Sequence, residues 1–176
     1  MRVIFLDIDG VLNADCDFGG RPKPNPKIVF DDGVSYCGIC RTHIKVLKGI
    51  IDKTDAKVVL VSSWKFDYED YIQNGFKNKV GKYLYNKLKK FGITIFDTTY
   101  KYARNSGSNR GREISYWLAD HKDIESWVVL DDEIFMDYQD YNIIPNLIQI
   151  DSKYGLWSLP AVQAVDKLLD IKYINK

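Results

Sequence analysis

No apolar run in this chain approaches the roughly 18 residues that a membrane-spanning helix needs. Its first apolar stretch, Val3-Ile4-Phe5-Leu6, is broken at once by Asp7, so neither a membrane anchor nor a signal peptide is expected there. Cysteine is scarce: Cys16, Cys37 and Cys40 make an odd count, which argues against a disulfide framework and for a reducing, cytoplasmic setting. Strong charge of either sign is also missing, because 25 Lys and Arg face 24 Asp and Glu for a net charge of +1. No global field therefore recruits nucleic acid or a lipid surface, and only a local patch could do so. What is present is ordinary for a globular protein, with 45% hydrophobic and 28% charged residues, which excludes disordered and fibrous classes. A length of 176 residues suffices for one substantial core and is short for two, so one domain spanning residues 1–176 is expected.

Val3-Ile4-Phe5-Leu6 has the unbroken apolar character of a strand buried on both faces of a parallel sheet. Residues 13–35 carry Gly19-Gly20, Pro22, Pro24, Pro26 and Asp31-Asp32-Gly33; they are expected to form a long loop without regular structure. Over residues 41–52, Ile44, Leu47, Ile50 and Ile51 recur at helical spacing, and Lys57-Val58-Val59-Leu60-Val61 follows as a second buried strand. The pattern then predicts a short helix over 68–75, a helix over 81–91 stopped by Gly92, and a strand over 93–96. A polar loop over 98–111 leads to a helix over 113–118 with Ile114, Trp117 and Leu118 on one side. Strands over 127–130 and 147–150 and a closing helix over 159–169, with Val162, Val165, Leu168 and Leu169 inward, complete the chain. This alternation predicts an α/β fold: one doubly wound, mostly parallel five-stranded sheet with helices on both faces. No internal repeat or low-complexity tract interrupts it.

Three of the expected strands end alike. Phe5-Leu6-Asp7, Leu60-Val61-Ser62 and Val129-Leu130-Asp131-Asp132 each run from apolar residues straight into acceptors or a hydroxyl. The C-terminal ends of parallel strands share one edge, and ligands sit beyond it where the strand order reverses, so Asp7, Ser62, Asp131 and Asp132 should converge. Any one of them alone would be a turn or cap residue; three strands ending this way carry more weight. Gathered carboxylates repel one another and lose hydration, which calls for a cation, and an all-oxygen set favours magnesium over zinc.

The segment Phe5-Leu6-Asp7-Ile8-Asp9-Gly10-Val11-Leu12-Asn13 resembles the first signature of the haloacid dehalogenase-like (HAD) superfamily, Asp-x-Asp-Gly-Val. Ser62 behind its strand resembles the second motif, and Asp131-Asp132 the fourth. With Ser62-Ser63-Trp64-Lys65, Arg110-Gly111-Arg112-Glu113-Ile114 and Tyr154-Gly155-Leu156, nearly the whole chain is similar to the small HAD phosphatase domains associated with RNA-repair proteins.

That resemblance implies a HAD-like Rossmannoid phosphatase. Asp7 would be the nucleophile of an aspartyl-phosphate intermediate and Asp9 the acid/base. Mg2+ would be held by Asp7, the Asp9 main-chain carbonyl and Asp131 or Asp132, with Ser62 donating to a phosphoryl oxygen. Gly10 would turn tightly beside the phosphate, with Ser63 next to Ser62 also on the substrate side. The third motif departs from the commonest pattern, since no lysine opens the helix before the fourth strand of the sheet; Arg110 and Arg112 are the candidates, and Arg110 is favoured because it stands at the expected helix start.

Lys101 and Arg104 share the polar loop with Arg110 and are the remaining candidates for substrate contact. Lys87, Lys89 and Lys90 read as a solvated helix face. Cys37-x-x-Cys40 with His43 and Cys16 nearby is only a weak zinc signal, because the partners lack standard spacing. The four tryptophans, Trp64, Trp117, Trp127 and Trp157, suit the core or the mouth of the site. Insertions at about 13–40 and 66–82 are too small for a full cap domain, so the cap is minimal and the site open. An open site suits a phosphate at the end of a larger molecule, and a nucleic-acid terminal phosphate is the first substrate expectation. A nucleotide or sugar phosphate is the alternative; a phosphoacceptor signalling module, or a non-catalytic binding domain, is the reading from another class. Neither a membrane nor an obligate protein partner is implied.

Overall fold

The structure, a computed structural model, describes residues 1–14, 27–29, 35–75, 77–103 and 109–171. Its centre is a five-stranded parallel sheet in the order β5-β4-β1-β6-β7, built from β1 (Arg2–Leu6), β4 (Lys57–Leu60), β5 (Ile95–Thr98), β6 (Ser126–Asp131) and β7 (Leu147–Gln149). In β1, Val3 through Leu6 are wholly buried, as a strand covered on both faces must be. Side chains alternate across the sheet. Ile4, Leu6, Val58, Leu60, Val128 and Leu130 face α1 (Arg41–Thr54), α3 (Lys79–Lys89) and α5 (Ser158–Leu168). Val3, Phe5, Val59, Val61 and Val129 face α4 (Arg110–Asp120), where Trp117 meets Phe5 edge-on at 5.3 Å between ring centroids. Each such side chain contributes about 1.5–3 kcal/mol on leaving water. The two-sided burial therefore fixes where β1 ends and Asp7 begins.

The expected α/β, doubly wound class is present, with helices on both faces of the sheet. One expectation fails: the segment read as an unstructured loop contains an antiparallel pair, β2 (Lys27–Val29) with β3 (Ser35–Cys37), in the register Ile28↔Tyr36. Ile28, Val29 and Tyr36 are good strand formers, and two short strands flanking a turn signal make a hairpin where turn residues alone suggest only a break. Most of the remaining segment lies outside the described residues.

Several boundaries also move. β5 starts at Ile95 rather than Ile93, because Ile93 is used to close α3: with Gly92 at φ +69°, the Ile93 N–H donates to the Leu88 carbonyl at 3.1 Å. α2 (Lys65–Asn74) begins directly behind Ser62-Ser63-Trp64. α4 begins at Arg110 because a distant carboxylate caps it. Asp137, in the 3-10 turn Met136–Tyr138, accepts from the Gly111 N–H at 3.1 Å and the Arg112 N–H at 3.0 Å, donors that the helix itself leaves unpaired. A Cβ on Gly111 would press against the Asp137 backbone, which explains the glycine there.

The chain runs β1, β4, β5 toward one edge and then returns to β6 on the other side of β1. The reversal point therefore lies between β1 and β6, where a crevice opens beyond the strand ends. The Asp7 N–H donates to the Leu130 carbonyl at 2.9 Å, which ties the end of β1 to the end of β6. Among the described residues no helix is long and apolar enough to cross a membrane. Removing the remote cap tests this anchoring: Asp137→Ala should lower stability by about 1–2 kcal/mol, read as a fall in the urea midpoint, whereas an unchanged midpoint would show that the cap contributes nothing.

Candidate active site

Asp7 follows β1, Asp131 ends β6 and Asp132 comes next, so the reversal of strand order delivers three carboxylates to one place. Each offers an oxygen lying within 4.8 Å of the others. Asp7 and Asp131 are buried and Asp132 is half-buried. Arg110, at the first position of α4, inserts a nitrogen between the two buried ones: its Nη1 lies 2.6 Å from Asp131 Oδ2 and 3.1 Å from Asp7 Oδ1. The guanidinium rests on the Phe135 ring, 4.1 Å from its centroid. Asp131 is further held by the Tyr138 hydroxyl at 2.7 Å and the Glu133 N–H at 3.1 Å.

One guanidinium does not neutralise this cluster. Burial pushes the Asp7 carboxyl up to about 7; Arg110 and a hydrogen bond from Ser62 oppose the rise while neighbouring Asp131 adds to it. Asp132 is pushed up to about 6, first by burial and then by Asp131. For Arg110, loss of hydration pulls the pKa down, but Asp7 and Asp131 more than offset it and hold the side chain charged. Two carboxyls raised toward neutrality, in an all-oxygen donor set, are what a hard divalent cation would return to the charged form. On that chemistry Asp7, Asp131 and Asp132 could hold one.

Asp9 lies outside the buried cluster but is firmly oriented. Asn13 Nδ2 donates to its Oδ1 at 2.6 Å and Trp64 Nε1 to its Oδ2 at 3.0 Å. Asn13 in turn accepts from the Gly10 N–H at 2.9 Å, and the Leu12 N–H donates to the Ile8 carbonyl at 2.8 Å. Gly10 sits at φ +67°, and a Cβ there would collide with the Asp132 carboxylate; the left-handed turn and the close approach both require glycine. Ser62, wholly buried at the end of β4, donates to Asp7. Behind it Lys65 is buried too, 3.1 Å from Glu113 Oε2 and donating to the Val61 carbonyl at 3.2 Å, while Glu113 also accepts from the Thr99 hydroxyl at 2.7 Å. Burial lowers the Lys65 pKa and Glu113 opposes that shift.

Of the residues proposed from sequence, the structure gathers Asp7, Asp9, Gly10, Ser62, Arg110, Asp131 and Asp132. Ser63 is adjacent and exposed. Arg112 points elsewhere: its guanidinium lies over the Tyr116 ring at 4.9 Å, so of the two arginines Arg110 is the one beside Asp7. Lys101 pairs with Asp120 at 3.4 Å, at the far end of α4 and about 15 Å along its axis from Arg110. Arg104 lies outside the described residues.

The zinc alternative loses its ligands. Among the described residues Cys37, Cys40 and His43 do not come together as a metal-binding group; His43 Nδ1 is bonded to the Leu156 carbonyl at 2.7 Å and Cys37 is an exposed thiol, while Cys16 lies outside the described residues. The sequence reading missed Asn13 and Trp64 as holders of Asp9, Tyr138 as a holder of Asp131, and the Lys65–Glu113 pair. Asn13, Trp64, Lys65 and Glu113 stand inside the motif segments quoted above, which was their only signal; Tyr138 had none.

The raised Asp7 carboxyl has a measurable consequence. Asp7 holds its proton more tightly folded, at about 7, than at its ordinary value of 3.8, so the metal-free fold loses stability as pH rises from about 4 to about 7, and the loss is complete above that. Asp7→Asn removes that penalty. It should raise the melting temperature of the metal-free protein at about pH 8, with the gain shrinking toward about pH 5; a gain that grows on acidification would reverse the sign assigned here.

The sequence matches the family described as HAD domain in Swiss Army Knife RNA repair proteins over residues 3–159, a span from β1 into the first turn of α5. No curated protein and no solved structure matches it. The match covers most of the chain and includes all three carboxylates, Asp9, Ser62 and Arg110. It supports a HAD-type hydrolase of the phosphatase kind, and the chain belongs to the HAD domain family of Swiss Army Knife RNA repair proteins.

Proposed function

We propose that this chain is a magnesium-dependent phosphatase that works through an aspartyl-phosphate on Asp7 and takes a nucleic-acid terminal phosphate as substrate. The observation that carries the reading is the meeting of Asp7, Asp131 and Asp132 within 4.8 Å beside Arg110. Asp9 supports it, since a carboxylate clamped on both oxygens yet open to solvent suits a group that must give and retake a proton.

An Asp7 oxygen attacks phosphorus; the bond from phosphorus to the ester oxygen breaks as the bond to Asp7 forms, and the leaving oxygen takes a proton from Asp9. Water then passes a proton to Asp9 and attacks phosphorus, the Asp7–phosphorus bond breaks, and inorganic phosphate leaves with both aspartates restored. Ser62 donates to a phosphoryl oxygen, and Arg110 offsets negative charge at Asp7 as the phosphate arrives. Gly10 leaves room beside Asp132, with Ser63 at the open side. Asp7, the Asp9 main-chain carbonyl and Asp131 or Asp132 would hold Mg2+, which would supply the charge neutralisation that lets one anion approach another. Lys101 and Arg112, engaged with Asp120 and Tyr116, are not assigned a contact with the reacting group.

A nucleic-acid end is favoured over a small ester because the insertions flanking the site are short, and because the family description refers to RNA repair proteins. Turnover of a chromogenic phosphate ester should require Mg2+ and stop on chelation. Asp7→Asn should abolish it, and Asp9→Asn should slow it by about 10²–10⁴-fold; full activity in Asp7→Asn is incompatible with the mechanism. Phosphate release from a 3′-phosphorylated oligonucleotide should exceed that from the small ester in kcat/KM, and equal values would remove the substrate assignment while leaving the phosphatase.

A further inference from the structure

Between α1 and α3 lies an open cavity of about 390 Å³ whose lining carries charge of one sign only. Arg41 stands on one wall and Lys87 and Lys90 on the other, with Asn86 between them and no acidic residue in the lining. Among the described residues none of the three cations forms an ion pair. Each of two is instead set against an aromatic ring of the same cavity: Lys87 Nζ lies 5.4 Å from the Tyr83 centroid and the Arg41 guanidinium 6.0 Å from that of Phe91. The floor is Ile44. In a protein of net charge +1, this is a local concentration of positive charge with ring faces interleaved, drawn from two helices rather than one solvated helix face.

The groove is joined to the proposed catalytic centre. The Tyr83 ring is 6.4 Å from Trp64, whose indole nitrogen holds Asp9, and the Tyr83 hydroxyl accepts from the Ile39 N–H at 2.9 Å, two residues before Arg41. α1 also begins at the active edge, because it runs back along the sheet before entering β4. Lys87 and Lys90 stand toward the other end, where α3 passes into β5, so a ligand lying along the groove from them past Tyr83 would lead toward Asp9.

We propose that this groove binds the single-stranded nucleic-acid segment adjoining the terminal phosphate, with a base stacked against Tyr83 or Phe91 and backbone phosphates met by Arg41, Lys87 and Lys90. Cations pair with phosphates and ring faces accept any base, the combination by which single strands are held without sequence preference. The volume fits a ligand of roughly nucleotide size, at the lower end of the roughly 300–1,000 Å³ typical of binding pockets. An acidic peptide would satisfy the cations but leave the two ring faces without a stacking partner. The inference deepens the phosphatase reading and rests on it for the reacting end, whereas binding in the groove does not require turnover.

Two measurements on the full chain separate them. A labelled short single-stranded oligonucleotide without a terminal phosphate should bind in fluorescence anisotropy, with affinity falling as salt rises. In Lys87→Glu/Lys90→Glu the affinity should drop at least ~tenfold and the slope of log affinity against log salt should lessen by about 1.4. Arg41→Glu, which places an acid where a helix start favours one, should weaken binding in the same direction. For the 3′-phosphorylated oligonucleotide these variants should raise KM with kcat and chromogenic-ester turnover unchanged. Absence of oligonucleotide binding by the wild type, unchanged affinity in the variants, or equal binding of an acidic peptide of matched charge would overturn the groove. Loss of ester turnover in parallel would overturn it too. A wild type that binds the oligonucleotide but hydrolyses no ester would instead overturn the phosphatase reading and leave the groove standing.

Discussion

Everything else in this site depends on two buried carboxylates being forced together at the reversal point of a parallel sheet. Asp7 follows and Asp131 ends strands that are paired residue by residue through Leu6↔Leu130, so neither can move away from the other without breaking the centre of the sheet. Arg110 offsets only part of the cost: burial first, and the neighbouring Asp131 after it, push the Asp7 carboxyl up to about 7. A fold that stores uncompensated charge at one spot is less stable than it could be, which is the ordinary condition of a functional site.

The surroundings of that spot divide the labour. Positive charge is supplied from α4, whose start is fixed by Asp137 and whose glycine lets the two backbones approach. Orientation of Asp9 comes from the first loop through Asn13 and from the β4–α2 connection through Trp64. The Lys65–Glu113 pair joins α2 to α4 beneath Ser62, with Thr99 satisfying Glu113 as well. Buried pairs of this kind fix geometry more surely than they add stability. Here the pair links the helix that directly follows Ser62 to the helix carrying Arg110.

How much of this could be read beforehand follows from what kind of signal each feature leaves. The sheet was legible because strands covered on both faces must be apolar throughout, and their last residues were legible because Asp7, Ser62 and Asp131 interrupt that run. The choice between Arg110 and Arg112 was open in sequence; two residues apart on a helix they point to nearly opposite sides, and only the placement of α4 against β6 decides it. Asn13, Trp64 and Tyr138 could not be found as partners, since which acceptor a side chain reaches depends on the path of a loop. The hairpin was hidden because its two strands, at three residues each, are too short to show an alternating pattern among the prolines and glycines around them. Lys87 and Lys90 looked like a solvated face because a single helix shows its own spacing and nothing of Arg41 across the groove.

The most direct measurement is a crystal structure grown with Mg2+ and a phosphate mimic. Density for one ion bonded to Asp7 and to Asp131 or Asp132, with the mimic beside the Asp7 carboxylate, is the predicted result. An ion bound elsewhere, with Arg110 still bridging Asp7 and Asp131 and no mimic at Asp7, would contradict it.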